Sequence, residues 1–318
     1  AAYGHHGAGP NTEPGIKLVA FHSQTTPTYT STASAQAVNF SPVSTTANTA
    51  SYSGAGPPAA NSVSSSQPSP TPFTTESWLT LGALGQYAEA DSSGTSVSCS
   101  GLVAAPGTIP VGSGNSSCST SGSPGPTGVK LDLSTIPAVG TTLSTLADVT
   151  LETSAITSTA SMGVAGAPVA GSASLGSLYV RVAVPLGNTV TIPLTLSTAP
   201  NQDLLSVLTN AISGDAAAIG PVTSTLVATL QSTFTLTSDY QNTSGNVFTV
   251  SAIHLTIPAA AITADLAKST VGPNTYSTPP TTTTAPPTTV APTTTTVPPT
   301  TTTLPPNDLT IIWIKQVP

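Results

Sequence analysis

Val247-Phe248-Thr249-Val250-Ser251-Ala252-Ile253-His254-Leu255-Thr256-Ile257 is rich in β-branched side chains and holds neither Pro nor Gly, which is strand composition. Just upstream, Asn242-Thr243-Ser244-Gly245 carries turn chemistry, and Phe234-Thr235-Leu236-Thr237 precedes it as a shorter apolar run. Two such runs around an Asn/Gly turn predict an antiparallel hairpin. The same vocabulary recurs toward the N-terminus. Leu178–Val184 and Val190–Leu196 flank the turn Leu186-Gly187-Asn188, and Val149, Leu151, Thr153 and Ala155 alternate with Thr150, Glu152 and Ser154. A period of two places these on the two faces of strands.

One interruption is helical. Asn201-Gln202-Asp203 supplies a cap, after which Leu204, Leu205, Val207, Leu208 and Ile212 recur at helical spacing, with Gly214 as a stop. Leu226–Leu230 is open between a second short helix and other structure. The expected fold is therefore mainly β: a β-sandwich or jelly-roll-like domain with one or two short inserted helices. Its expected bounds are 76–276. Residues 1–75, rich in Ser, Thr, Ala and Pro, are expected to be an extended arm with one short strand at 16–22. Residues 277–306 read as an extended Thr/Pro linker, and 307–318 as a terminal strand.

Composition narrows the function. Charged side chains are 5% of the 318 residues, against roughly 25% in ordinary domains. A net charge of −7 with five Lys and Arg opposes nucleic-acid binding, which needs a basic face. No run of 18 or more apolar residues marks a membrane span. Ala1-Ala2-Tyr3 reads as a new end left by signal peptidase, so a secreted, extracellular or cell-surface protein is expected. In that setting Cys99 and Cys118 are most simply a disulfide pinning a loop; a metal pair lacks a nearby His.

Several of these segments together resemble the actinobacterial secreted proteins of the choice-of-anchor families. The resemblance is carried by Leu151-Glu152-Thr153-Ser154-Ala155, by Val190-Thr191-Ile192-Pro193-Leu194, by the helix–strand segment after them, and by Val250–Thr256. It implies a non-enzymatic β protein displayed on a surface. The TTTT-x-PP tract is similar to linkers of secreted actinobacterial proteins.

No catalytic motif stands in the sequence: there is no GxSxG, P-loop, HExxH or CxxC. The expectation is a protein that is not an enzyme and takes no cofactor. His5 and His6 read as solvated tail rather than a metal site, and His22 as the end of a short apolar island. His254 reads as a half-exposed strand residue sharing a face with Val250, Ala252 and Thr256. Glu89 and Asp91 would share one strand face, the arrangement of a glycosidase pair or calcium site, without flanking Trp subsites or a DxDxDG spacing. Asn39, Asn115 and Asn242 head formal N-glycosylation sequons. The better sugar acceptors are Thr281, Thr282, Thr283, Thr284, Thr293, Thr294, Thr295 and Thr296, whose hydroxyls sit in the Thr/Pro tract.

The C-terminal segment decides the functional expectation. Leu309, Ile311, Trp313 and Val317 alternate with Ile312 and Ile314, so the strand is apolar on both faces. Such a strand must dock to avoid aggregation. About thirty Thr/Pro residues precede it, spanning on the order of 90 Å as polyproline II. A 200-residue domain is only about 40–45 Å across. The spacer thus favours a neighbour over the strand's own domain, the geometry of donor-strand complementation. Ile16, Leu18, Val19 and Phe21 form a second donor candidate. The expected function is a structural subunit of an extracellular filament or pilus, a homopolymer assembled head-to-tail by strand donation. The alternative is a monomeric surface adhesin or wall-associated binding module on a Thr/Pro stalk.

Overall fold

A computed structural model describes residues 26–40, 43–68, 76–103, 109, 128–136, 140–185 and 187–278. In chain order the first strands are β1 (Thr28–Phe40), β2 (Val43–Ser44), β3 (Asn48–Gly54), β4 (Ser62–Ser66), β5 (Leu79–Thr80) and β6 (Ala83–Ala90). Next come β7 (Ser96–Val103), β8 (Val129–Asp132), β9 (Asp148–Thr153), β10 (Ala155–Met162), β11 (Val169–Leu175) and β12 (Leu178–Ala183). The last are β13 (Thr189–Leu194), β14 (Gln202–Asp203), β15 (Thr235–Ser244), β16 (Val247–Ile257), β17 (Ile262–Val271) and β18 (Thr275–Ser277). The α-helices are α1 (Gly140–Leu143), α2 (Leu204–Gly214), α3 (Ala216–Ile219) and α4 (Thr223–Thr233).

The strands form three antiparallel sheets. Sheet I runs β14-β15-β16-β17-β1-β18, with β2 and β3 also paired to β1; sheet II runs β11-β10-β7-β6-β4; sheet III runs β13-β12-β9-β8-β5. Sheets I and II face each other as a sandwich. Ala33, Ala50, Phe248, Val250 and Val271 of sheet I meet Ala88, Ala90, Ala160 and Met162 of sheet II. Short alanine side chains on both layers let the sheets approach closely. Sheet III and the helices build a larger core with the other half of sheet I. It joins Val149, Leu151, Val180 and Val182 to Leu204, Leu208, Ile212, Leu226 and Leu230, and to Leu236, Ile253, Leu255 and Leu266.

The expected helix is α2, and the open segment Leu226–Leu230 is helical as part of α4. Asp203 caps α2, accepting from the Ser206 N–H at 3.0 Å, and its other oxygen accepts from the Ser206 hydroxyl. That hydroxyl bond holds the Asp203 carboxyl below its ordinary range. The hairpin is β15–β16, paired from Thr235–Thr256 to Ser244–Val247.

Three expectations change. Thr28–Ser66, assigned to an extended arm, contains four strands instead, and β1 lies between β17 and β3 within sheet I. Its Ala33, Ala35 and Ala37 are buried while Thr32, Ser34 and Gln36 are partly exposed. The alternation is real, but Ala against Ser carries little hydrophobic contrast. Second, Val149–Ala155 is two strands in two sheets. Thr153 pairs with Leu178 in sheet III and Ala155 with Val103 in sheet II, so the chain changes sheet at Ser154. Third, His254 does not share a face with Val250 and Ala252.

That last change follows from an interruption in sheet I. Ladder pairing skips one row, Asp239–Ala252–Ala267–Ala37, on all four neighbouring strands. Ala252 and Ile253 are both buried, as are Leu266 and Ala267, and Ala37 and Val38. Two successive rows therefore face inward, and the side-chain alternation changes phase. Asp239 and Ala267 adopt φ of 45° and 50°, a left-handed region unfavourable for residues with a Cβ. Ala37, Ala252 and Ala267 of this row are fully buried.

Candidate functional site

Polar side chains converge where the interrupted row meets the other sheets. From β6, the Gln86 carbonyl oxygen accepts the Ala37 N–H at 2.8 Å, and its amide donates to Thr46 O at 2.7 Å. At the far end of the row, Asp239 reaches the edge strand β11. Its Oδ1 accepts the Ala173 N–H at 2.8 Å, and Gln241 Nε2 donates to Gly171 O at 3.2 Å. Edge groups that would otherwise recruit a further strand are thereby occupied. Beside them lies a cleft of about 360 Å³ between β11, β15 and the segment that follows β13, lined by Ser172, Ser174, Leu196, Ser197, Thr198 and Asp239 among others.

A second junction closes the opposite end of the sandwich. Gly272, at φ 91°, turns the chain out of β17, with the carbonyl of Asn246 only 2.2 Å from where a Cβ would stand. Glycine is required there on both counts. The turn delivers Asn274, which is buried. Its Oδ1 accepts from Thr32 N at 3.3 Å and Ser96 Oγ at 3.1 Å, and its Nδ2 donates to Met162 O at 2.9 Å and Gly163 O at 3.2 Å. One side chain thus joins β1, β7 and the end of β10.

On the outward face of sheet I, His254 and Asp265 are cross-strand partners, with Nδ1 and Oδ1 2.7 Å apart. Asp265 Oδ2 faces Lys268 Nζ at 3.1 Å and accepts from Asn39 Nδ2 at 3.3 Å. Burial pushes the Asp265 carboxyl upward, but the His254 hydrogen bond and the Lys268 charge outweigh it and bring its pKa down to about 2. The Tyr240 ring stacks on His254 with centroids 4.1 Å apart. The sequence showed His254 but not its partner, because Asp265 belongs to another strand.

Glu89, at the end of β6, and Asp91, in the turn that follows, do come together. Asn61 Nδ2 donates to Glu89 Oε1 at 2.9 Å and Asp91 Oδ2 at 3.3 Å, Tyr87 Oη donates to Glu89 Oε2 at 2.6 Å, and the Ser93 N–H donates to Asp91 Oδ1 at 2.7 Å. Burial and the bond to Glu89 push the Tyr87 phenol upward. Among the described residues no group of three His, Cys, Asp or Glu side chains is arranged to hold a metal ion, and no helix is long and apolar enough to cross a membrane.

Cys99 is buried in β7 and disulfide-bonded; Cys118, the only other cysteine of the chain, lies outside the described residues. Nearby, Ile109 is buried against Gly101, where an added Cβ would stand 3.3 Å from Ile109 Cδ1 and 3.0 Å from Ile156 O. Both donor candidates, Ile16, Leu18, Val19 and Phe21 and then Leu309, Ile311, Ile312, Trp313, Ile314 and Val317, lie outside the described residues. So do the eight candidate threonines of the Thr/Pro tract and Asn115. Asn39 is committed to Asp265, whereas Asn242 is exposed near the β15–β16 turn.

Residues 72–214 match a family described as a domain of unknown function, DUF8394. The match covers less than half of the chain. It takes in sheet III, sheet II apart from β4, and α2, and leaves β1–β3 and β15–β18 outside. Comparison with curated proteins finds no match, and comparison with solved structures finds none.

Proposed function

We infer that this chain is a structural subunit of an extracellular filament or pilus, joined to copies of itself by strand donation, with Leu309–Val317 as the donor. The observation that carries this reading is how polar side chains between the strands are spent, Gln86 and Asn274 buried and Asp239 partly exposed. Gln86, Asp239 and Asn274 each bond to the backbone of another strand, joining sheets or sealing an edge. That investment suits a load-bearing scaffold more than a reaction centre. Closed edges also suppress indiscriminate pairing. Pro193, on edge strand β13, adds to this, since Pro has no N–H to offer a neighbour. Association then falls to a dedicated segment, and the sequence beyond the Thr/Pro tract, apolar at alternate positions of both parities, is suited to that task. A disulfide-bonded Cys99 fits an oxidising, exported setting, and sugars on the tract threonines would keep the spacer extended.

Electron microscopy of the purified full chain tests the reading. Filaments are expected from the full chain and soluble monomers from a chain lacking 307–318, with the free 307–318 peptide capping growth. Filaments that persist after the deletion would move the donor role to Ile16–Phe21. A full chain that stays monomeric at high concentration would favour the second reading, a surface adhesin or wall-associated binding module on a Thr/Pro stalk. The hydroxyl-lined cleft beside Asp239 supports that alternative.

A further inference from the structure

We propose that the outward face of sheet I carries a binding site for a small carboxylate-bearing polyhydroxy ligand, a uronic-acid-type sugar unit, seated on Lys268. A cavity of about 220 Å³ lies over β1 and β17, lined by Ser34, Gln36, Lys268 and Thr270. The register places Gln36 opposite Lys268 and Ser34 opposite Thr270, while the intervening Ala35 and Ser269 are buried. All four lining residues thus belong to the outward face. The volume is below that of pockets for drug-sized ligands and suits a single ring.

A separate observation comes from β16. Ser251 is the cross-strand partner of Lys268 on one side and of Tyr240 on the other. It is fully buried, and its hydroxyl has no hydrogen-bond partner. An unpaired buried hydroxyl costs stability, but Ser251 stands on the neighbouring strand and is not part of the cavity lining.

Charge selects the ligand class. Lys268 is one of five Lys and Arg in a chain of net charge −7; it pairs with Asp265 at 3.1 Å, and the other groups lining the cavity are neutral hydroxyls and an amide. Asp265 divides its two oxygens among His254, Asn39 and Lys268, and an ammonium carries three donors. Donors of Lys268 therefore remain for a ligand carboxylate. A single ammonium without an Arg fork suits a carboxylate better than a multiply charged phosphate. Ser34, Thr270 and Gln36 match sugar hydroxyls. This site is independent of the filament reading, since it lies wholly within the described domain.

Titration of the full chain with glucuronate and, separately, glucose, followed by NMR shifts of the protein amides, tests the proposal. Saturable millimolar binding of glucuronate is expected, with glucose at least tenfold weaker. Lys268→Gln should weaken glucuronate at least tenfold, while Arg181→Gln, a change to an exposed cation on sheet III, should have no effect. Ser34→Phe, which fills the cavity and keeps every charge, should abolish binding and serves if Lys268→Gln fails to fold. Absence of saturation by glucuronate, equal binding of glucose, or unchanged binding by folded Lys268→Gln or Ser34→Phe would overturn the site.

Discussion

Gln86 of sheet II stands in for a missing ladder partner of Ala37 in sheet I, accepting its backbone N–H at 2.8 Å while donating to Thr46 O. Gln86 and Ala37 are both completely buried. Water cannot replace this bond, so a chain with Gln86→Leu keeps the bulk and orphans the Ala37 N–H and the Thr46 carbonyl. The expected loss is about 1–3 kcal/mol, read from equilibrium urea unfolding. An unchanged midpoint would remove Gln86 from this role.

Asn274 makes four hydrogen bonds to three strands or their ends. Asn274→Ala removes them together and is expected to cost on the order of 3 kcal/mol. Asn274→Asp keeps the acceptor, loses both donated bonds and buries a charge, and should be no better. Amide hydrogen exchange should show the damage concentrated at Thr32, the partner nearest the β17–β18 turn. Uniform loss of protection would point to global destabilisation instead.

Asp265 makes acid stability informative. Its folded pKa, about 2, lies below the ordinary value of 3.8. A depressed carboxylate pKa means that its contribution is present above the unfolded value and is lost as pH falls through the folded one. Between pH 5 and pH 2 the native chain is expected to lose about 2 kcal/mol that Asp265→Asn does not lose. Parallel unfolding curves for the two chains across this window would show that the His254–Asp265–Lys268 group contributes nothing.

Cys99 leads to a redox prediction. A disulfide to Cys118 closes a loop worth about 3 kcal/mol in the chain-entropy account. Non-reduced peptide mass spectrometry should recover residues 99 and 118 in one linked species, and reduction should lower the unfolding midpoint. Two free thiols, or a link between chains, would contradict the pairing.

Much of the fold was legible wherever the pattern was local and had strong contrast. The β15–β16 hairpin shows because Leu236, Val250, Ile253 and Leu255 stand against Thr and Ser around an Asn/Gly turn. Helix α2 shows because Leu204, Leu205, Leu208 and Ile212 repeat at helical spacing behind Asp203. β1 was missed because a strand of Ala, Ser and Thr differs little between its faces, and neighbours rather than propensity decide its place. Asp239, Gln241, Gln86 and Asn274 were missed because their partners are backbone groups of strands distant in the chain, and no spacing rule marks them.

By itself, the sequence determined that this chain is a mainly β protein of very low charge, with one well-capped helix and few groups suited to catalysis. Those properties depend on composition and on contacts within one or two turns or strands. Tertiary structure decided which sheet each strand joins, as at Ser154, where one continuous alternation divides between sheets III and II. It also decided that Ala252 and Ile253 face inward together, which turns His254 outward to Asp265 and places Lys268 over its cavity. The physical reason is that side-chain direction along a strand follows the backbone locally, whereas an interrupted row exists only when four strands share it.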